Sequence, residues 1–202
     1  MLQQLFHEFV VFFVVVNPIG KVPLFISVTR HEAAADRRQI ATKAIIVAAA
    51  ILLVFIAVGQ VLLDVLGIEL MSFQIAGGLV LLIIALRMVL EKVTPIPDDA
   101  IRARGNVAVF PLAMPFIAGP ASILAAILLT DDNIYTVMEQ VETAGVMLLV
   151  LAITYACLIG AEFVQRMLGD TGANVVGRIM GLILAALAVQ SILGALRGFR
   201  FT

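Results

Sequence analysis

Five residues in the first apolar stretch have types and a spacing that could bind a small polar solute: Asn17, Pro18, Gly20, Lys21 and Pro23. Each proline lacks the backbone N–H that a helix needs and disfavours helical geometry in the residue before it. We therefore predict a broken helix, with free carbonyl groups before the break and free amide groups after it. Asn17 could donate to a carboxylate or accept from an ammonium, or it could cap the helix that follows. Lys21 could contact a carboxylate or extend its ammonium to the membrane surface.

The same spacing recurs in a second apolar stretch, where Pro115 and Pro120 flank Ala118 and Gly119. The first proline of this motif lies 97 residues after the first proline of the earlier one. Gly119, like the glycine of the first motif, admits close approach of either a ligand or another helix. Ser122 falls in the first turn of a helix beginning at Pro120, where its hydroxyl could bind an anion or bond back to its own helix. Interrupted spans in corresponding halves of a chain indicate a transporter's binding site.

Two glutamines in other apolar stretches, Gln74 and Gln190, are further candidate ligands for a substrate. No apolar stretch carries an acidic residue at its centre, and the two histidines, His7 and His31, are far apart in sequence. The chain has no zinc-protease, serine-hydrolase or cysteine-pair motif. We therefore predict no catalytic residue, no metal site and no enzyme activity.

Composition indicates a membrane protein. Of the 202 residues, 62% are hydrophobic and 13% are charged, and the mean hydropathy is +1.13. Apolar runs of about 20 residues are long enough to cross a bilayer. We predict an all-α integral membrane protein with six transmembrane helices, at residues 5–29, 41–63, 71–90, 107–129, 144–164 and 177–196. The net charge of -1 is carried in the loops and gives nucleic-acid binding no support.

Cations in the loops predict the orientation of the spans. The first, third and fifth loops, counted with the residues at their edges, carry nine Lys and Arg residues, whereas the second and fourth carry none. By the positive-inside rule the cation-bearing loops are cytoplasmic, so both termini are exterior. Because each half has three spans, the halves have opposite orientations. We predict two inverted three-helix repeats, residues 1–90 and 107–202, with helices 1 and 4 broken or kinked at the proline motifs and a cytoplasmic linker at 91–106.

These residues resemble those of the MarC family, six-span proteins of the bacterial inner membrane in an exporter superfamily that includes LysE. The resemblance covers nearly the whole chain. It rests on Asn17-Pro18-Ile19-Gly20 followed by Pro23 and Phe25, on Ala76-Gly77-Gly78, and on Pro115 with Ala118-Gly119-Pro120. It implies a transporter-like protein of that membrane. Some members, of the SnatA type, are linked to small neutral amino acids such as glycine and alanine.

We therefore expect a secondary transporter of small neutral amino acids, with no cofactor and with protons or sodium ions as the coupling ion. The expected partners are a small-molecule substrate and the lipid bilayer, and a homo-oligomer stays open. The amides after Pro18 and Pro120 would hold the carboxylate, while Asn17 and the carbonyls before the breaks would hold the ammonium. The alternative is a channel, or a membrane protein that assembles with a partner and transports nothing.

Overall fold

A computed structural model of the chain describes residues 2–90, 106–132 and 134–198, and every regular element in that part of the chain is a helix. Five helices are long and apolar enough to cross a membrane. A bent pair of shorter helices makes a sixth span if the two are counted as one. The predicted linker lies outside the described residues apart from Asn106. The prediction of an all-α membrane protein is confirmed.

Span 1 is interrupted near its centre. It consists of helix α1 (Leu2–Val16), a 3₁₀ turn (Ile19–Lys21) and helix α2 (Val22–Thr29). Asn17, which precedes Pro18, has a φ of 51°, in the left-handed region that asparagine adopts more readily than most residues. Its side-chain oxygen Oδ1 accepts a hydrogen bond from the backbone N–H of Gly20 at 3.1 Å. The side chain thus satisfies one of the amides that the break leaves free.

Span 4 is an irregular segment, Ala108–Ile117, followed by helix α5 (Pro120–Leu128), and the two are bent by 53°. Within the irregular segment, Phe110 and Met114 are extended, each with a φ of -132°. Each precedes a proline, which disfavours helical geometry in the residue before it. Gly119 is also extended, and α5 begins directly after it at Pro120, where a helix does not need an N–H.

The remaining helices are α3 (Ala34–Val65), α4 (Leu70–Leu90), α6 (Val137–Ile159) and α7 (Ala161–Gly198). The predicted fifth span, 144–164, is too long at its end, because α6 stops before Gly160 and α7 begins directly after it. The stretch predicted as the fifth loop, 165–176, is helical apart from an interruption at Gly169, whose φ is 61°. Charged residues in this stretch mask its helical character when only hydropathy is considered.

The core is built from close helix contacts. Helix α4 packs most extensively against α7, α1 packs against α6, and the irregular segment of span 4 packs against α3. A Cβ atom on Gly78 would lie 2.7 Å from the Ile192 side chain, and one on Gly181 would lie 2.9 Å from that of Val89. Glycine at both positions therefore allows α4 and α7 to approach closely, as small residues do between membrane helices.

The outer surface carries many exposed apolar side chains. Val54 and Val61 on α3, Leu79 and Ile83 on α4, and Leu182 on α7 are all at least half exposed. A water-soluble protein rarely exposes a contiguous apolar surface of this extent. These faces suit contact with lipid tails, which leaves the glycine-rich and alanine-rich faces to pack inside the bundle.

Candidate functional site

The two proline motifs meet at one cavity of about 380 Å³. Residues on both broken spans line it, and α4 and α7 complete its wall. Six of the predicted ligands line this cavity: Asn17, Lys21, Pro115, Gly119, Pro120 and Ser122. Its volume is near the lower end of the roughly 300–1,000 Å³ typical of small-molecule sites. The fold therefore brings both motifs to one small-molecule-sized space, while binding by these residues stays a prediction.

Asn17 lies in the wall of this cavity and is 6% exposed. Its oxygen Oδ1 makes the bond to the Gly20 N–H, so the capping role considered for Asn17 is present in the structure. Its amide nitrogen Nδ2 makes no hydrogen bond to any residue that the structure describes. Since an amide group has two donors as well as an acceptor, capping leaves its donors available to a solute.

The glycines of the two motifs are required by the shape of the breaks. A Cβ atom on Gly119 would clash with the carbonyl oxygen of Pro115, which is backbone and cannot turn aside. A Cβ atom on Gly20 would clash with the side-chain amide of Asn17. Gly119 also lines the cavity, whereas Gly20 does not.

The Lys21 side chain makes a contact between the two broken spans. Its ammonium nitrogen Nζ lies 5.6 Å from the ring centroid of Phe116, and both residues line the cavity. Among the described residues, no carboxylate forms an ion pair with it. A cation–π contact contributes about 0.5–2 kcal/mol, whereas a lysine within a membrane span costs about 2.5–3.5 kcal/mol. The aromatic ring therefore offsets only part of the cost of keeping this charge in the cavity wall.

Ser122 uses its hydroxyl within its own span. The hydroxyl oxygen Oγ donates to the carbonyl of Ile117 at 2.9 Å, so the back-bonding alternative is the one present. The backbone N–H groups of Ala121 and Ser122 belong to the first turn of α5, where a helix provides no carbonyl partner. Both residues line the cavity. The start of α5 therefore offers amide donors and the positive end of a helix dipole to an anion.

The other predicted ligands do not line this cavity. Pro18 and Ala118 are buried, and Pro23 lies in the first turn of α2. Pro18, Gly20 and Ala118 lie in the breaks, whereas the interruption predicted at Pro23 is absent, because the first turn of a helix does not need the N–H that proline lacks. Their contribution to a site is therefore indirect, through the backbone geometry that they impose on the lining residues.

Gln74 and Gln190 line a second cavity, of about 280 Å³. The two cavities share Val15 and Ala121 in their walls, so they adjoin each other. Ser191 also lines the second cavity, and its buried hydroxyl has no hydrogen-bond partner within the described ranges. The two glutamines thus belong to a polar space next to the first cavity and not to that cavity.

Glu8 is a buried acidic residue whose burial sequence reasoning missed. It lies on α1 and is 1% exposed. Its carboxylate accepts hydrogen bonds from Gln4 at 3.1 Å and from Thr143 on α6 at 3.0 Å. The available signal was a single acidic residue inside the otherwise apolar run that opens span 1. Over the described part of the chain, no group of three or more His, Cys, Asp or Glu residues could hold a metal ion.

A third cavity, of about 480 Å³, lies where the end of α2 meets the start of α7. Arg37 on α3 lines it and pairs with Glu162 on α7 at 2.8 Å. Arg37 also donates to the carbonyl of Thr29, the last residue of α2, at 3.1 Å. Because the ion pair is partly exposed, we assign it a weak contribution of about 0–1 kcal/mol. This contact links the first and second halves of the chain.

Comparison with known proteins gives the family. The model of the MarC family of integral membrane proteins matches residues 2–200. The chain is 38% identical to a UPF0056 membrane protein of Methanocaldococcus jannaschii over 98% of both chains. It is 30% identical to the UPF0056 inner membrane protein YhgN of Escherichia coli K12 over 97% of this chain and 98% of that one. It is 32% identical to the UPF0056 membrane protein YvbG of Bacillus subtilis 168, over 95% and 93% of the two chains. No solved structure matches the chain.

The family model and these relatives cover nearly the whole chain, and the apolar helices described above agree with an integral membrane protein. The chain belongs to the MarC family of integral membrane proteins.

Proposed function

We propose that the protein is a secondary transporter of small neutral amino acids such as glycine and alanine, and that it binds them in the cavity between the two broken spans. One observation carries this proposal: motifs about one hundred residues apart line the same small-molecule-sized space. Broken helices that meet at such a space are the usual way in which transporters build a solute site inside a membrane.

The free backbone groups suit the two ends of an amino acid. At the start of α5, the amides of Ala121 and Ser122 face a carboxylate. Pro18 has no N–H to donate to a carbonyl one turn earlier, so in this proposal the carbonyl groups before the break accept from the ammonium. Asn17 adds an amide group at the same break, and it lines the cavity. Coupling to protons or sodium ions supplies the driving force in this proposal.

An inverted repeat would give such a transporter two equivalent halves that rock about the site. A reciprocal contact between α4 and α7 supports it. A Cβ atom on Gly78 would lie 3.2 Å from the carbonyl oxygen of Ala188, and one on Gly181 would lie 3.1 Å from that of Ala85. Adding 103 to both members of the pair Gly78 and Ala85 gives the pair Gly181 and Ala188. The symmetry operation that would relate the two halves therefore maps each of these two contacts onto the other.

The proposal includes an orientation and a membrane. Both termini lie on the exterior side, because the cation-bearing loops are cytoplasmic under the positive-inside rule. The name of the Escherichia coli relative, an inner membrane protein, supports placement in the bacterial inner membrane. The two three-helix units, 1–90 and 107–202, then form a single membrane domain.

The test is counterflow in proteoliposomes. The purified full chain is reconstituted into vesicles loaded with unlabelled alanine, and uptake of trace radiolabelled alanine or glycine is followed against vesicles without protein. We expect transient, saturable accumulation of label, since a carrier exchanges internal for external solute. Flux that rises without saturation would indicate the channel alternative. Absence of any label uptake, with another membrane protein co-purifying at fixed stoichiometry, would indicate the non-transporting alternative.

A further inference from the structure

The cavity between the broken spans is lined by cationic side chains. Lys21 and Arg87 both line it, and none of the described residues that line it is Asp or Glu. The described lining of the adjoining second cavity also has no acidic residue. A solute in this space therefore meets positive charge that no carboxylate of the described lining residues balances.

Lys21 is the better placed of the two cations. Its ammonium lies over the Phe116 ring, which belongs to the other broken span, so the charge is held between the two motifs. A ring face attracts a cation through its quadrupole but carries no net charge. A charged group that leaves water needs a counter-charge to balance its lost hydration. Within the described residues Lys21 has no such partner, so a bound anion can complete the site.

An ammonium group would find much weaker partners in the same cavity. Asn17 Oδ1 already accepts from the Gly20 N–H, and the remaining acceptors are neutral carbonyl and hydroxyl oxygens. By contrast, a carboxylate would meet the Lys21 ammonium together with the free amides at the start of α5. Charge-assisted hydrogen bonds of this kind are roughly twice as strong as neutral ones.

The cavity is also lined by apolar side chains. Ile84, Phe116 and Leu184 line the cavity and can contact a short alkyl chain. Gly119, next to the start of α5, presents only backbone atoms to this space. A solute with one carboxylate and a short hydrocarbon tail therefore satisfies the charged and apolar groups of the cavity without an amino group.

We propose that this cavity selects its solute through the carboxylate, held by Lys21, and that it binds short-chain monocarboxylate anions that lack an amino group, as well as amino acids. The inference names the substrate class of the cavity and rests on the proposed function only in taking this cavity as the solute site. Carboxylate recognition by a side-chain cation makes the amino group dispensable, whereas loss of the carboxylate abolishes binding.

Ligand-dependent thermal stability of the purified full chain in detergent tests this inference, because a ligand that binds only the folded state raises the unfolding temperature. Sodium propionate is compared with propylammonium chloride and with sodium chloride at equal ionic strength. We expect stabilisation by propionate alone. Lys21→Met should lose the propionate effect and Lys21→Arg should retain it. Lys43→Met, which removes a lysine from outside the cavity lining, is the matched control and should respond like the native chain.

Equal stabilisation by propionate and propylammonium in the native chain would overturn the inference, as would an undiminished propionate effect in Lys21→Met. If Lys21→Met does not fold, the comparison of propionate with propylammonium on the native chain still tests the inference. Competition in the alanine counterflow assay separates this inference from the proposed function. Propionate stabilisation without alanine counterflow would refute amino acid transport and support the anion site. Alanine counterflow inhibited by alaninamide but not by propionate would support transport and refute carboxylate selection.

Discussion

Thr143 and Glu8 form a buried hydrogen bond that ties the first half of the chain to the second: the Thr143 hydroxyl on α6 donates to the Glu8 carboxylate on α1 at 3.0 Å. Glu8 is 1% exposed and Thr143 is 0% exposed. The same hydroxyl lies 3.0 Å from the carbonyl oxygen of Glu139, one turn earlier on α6. A carboxylate this deeply buried depends on its donors, because water cannot replace them.

Replacing Thr143 with Val should therefore destabilise the protein more than replacing it with Ser. Valine keeps the shape of threonine but removes the donor, at a cost of about 1.5–3 kcal/mol for a hydrogen bond to a charged group. Serine keeps the hydroxyl and removes one methyl group, at about 0.8 kcal/mol. Denaturant unfolding of the purified variants in detergent measures the two free energies. Equal stability of the two variants would contradict a structural role for the bond.

At Asn17, two substitutions separate the backbone from the side chain. Asn17→Ala should lose about 1.5–3.5 kcal/mol of stability, because it loses the bond to Gly20, at about 0.5–1.5 kcal/mol, and places alanine at a φ of 51°, at about 1–2 kcal/mol. Asn17→Gly should lose about 0.5–1.5 kcal/mol, because glycine accepts this φ and only the bond to Gly20 is lost. If the amide group binds the solute, both variants should lose alanine counterflow to a similar degree. Full counterflow in Asn17→Gly would show that Asn17 caps the break and does not bind the solute.

Gly119→Leu should abolish alanine counterflow while the protein still inserts into the membrane. Its Cβ atom would clash with the Pro115 carbonyl, and the rest of the side chain would compete with a solute in the cavity that Gly119 lines. Gly145→Leu is the matched control, because a Cβ atom on Gly145 would have no neighbour within 4 Å. The measurements are the amount of protein in the membrane fraction and counterflow per protein. Equal counterflow in the two variants would remove Gly119 from the site.

The proposed orientation predicts which loops react with a membrane-impermeant maleimide. In a Cys157→Ala background, Glu69→Cys should be labelled from outside intact cells, because it follows the second span in the exterior loop. His31→Cys should be labelled only in inverted vesicles, because it lies in the cation-bearing first loop. Both residues are exposed, so access is limited by the membrane alone. The reverse labelling pattern would invert the orientation and put both termini in the cytoplasm.

The sequence alone determined the membrane class and most of the spans, and it marked the prolines next to which Asn17 and Met114 depart from helical geometry. These properties depend on short-range chemistry. A proline removes one particular N–H and disfavours helical geometry in the residue before it. Asn17 and Met114, each directly before a proline, are non-helical in the structure, whereas Val22, directly before Pro23, is helical.

Tertiary structure alone decided which of these residues meet. Lys21 lies against Phe116, and Asn17 shares a cavity with Gly119. Gln74 and Gln190 belong to a separate cavity. All three arrangements depend on packing between spans that are far apart in sequence. The partners of Glu8 show the same limit. An acidic residue near the end of an apolar run reads as exposed until α6 brings the Thr143 hydroxyl to it. Burial of a polar group is a property of its neighbours, and the helix pairing that supplies those neighbours is not encoded in any local pattern.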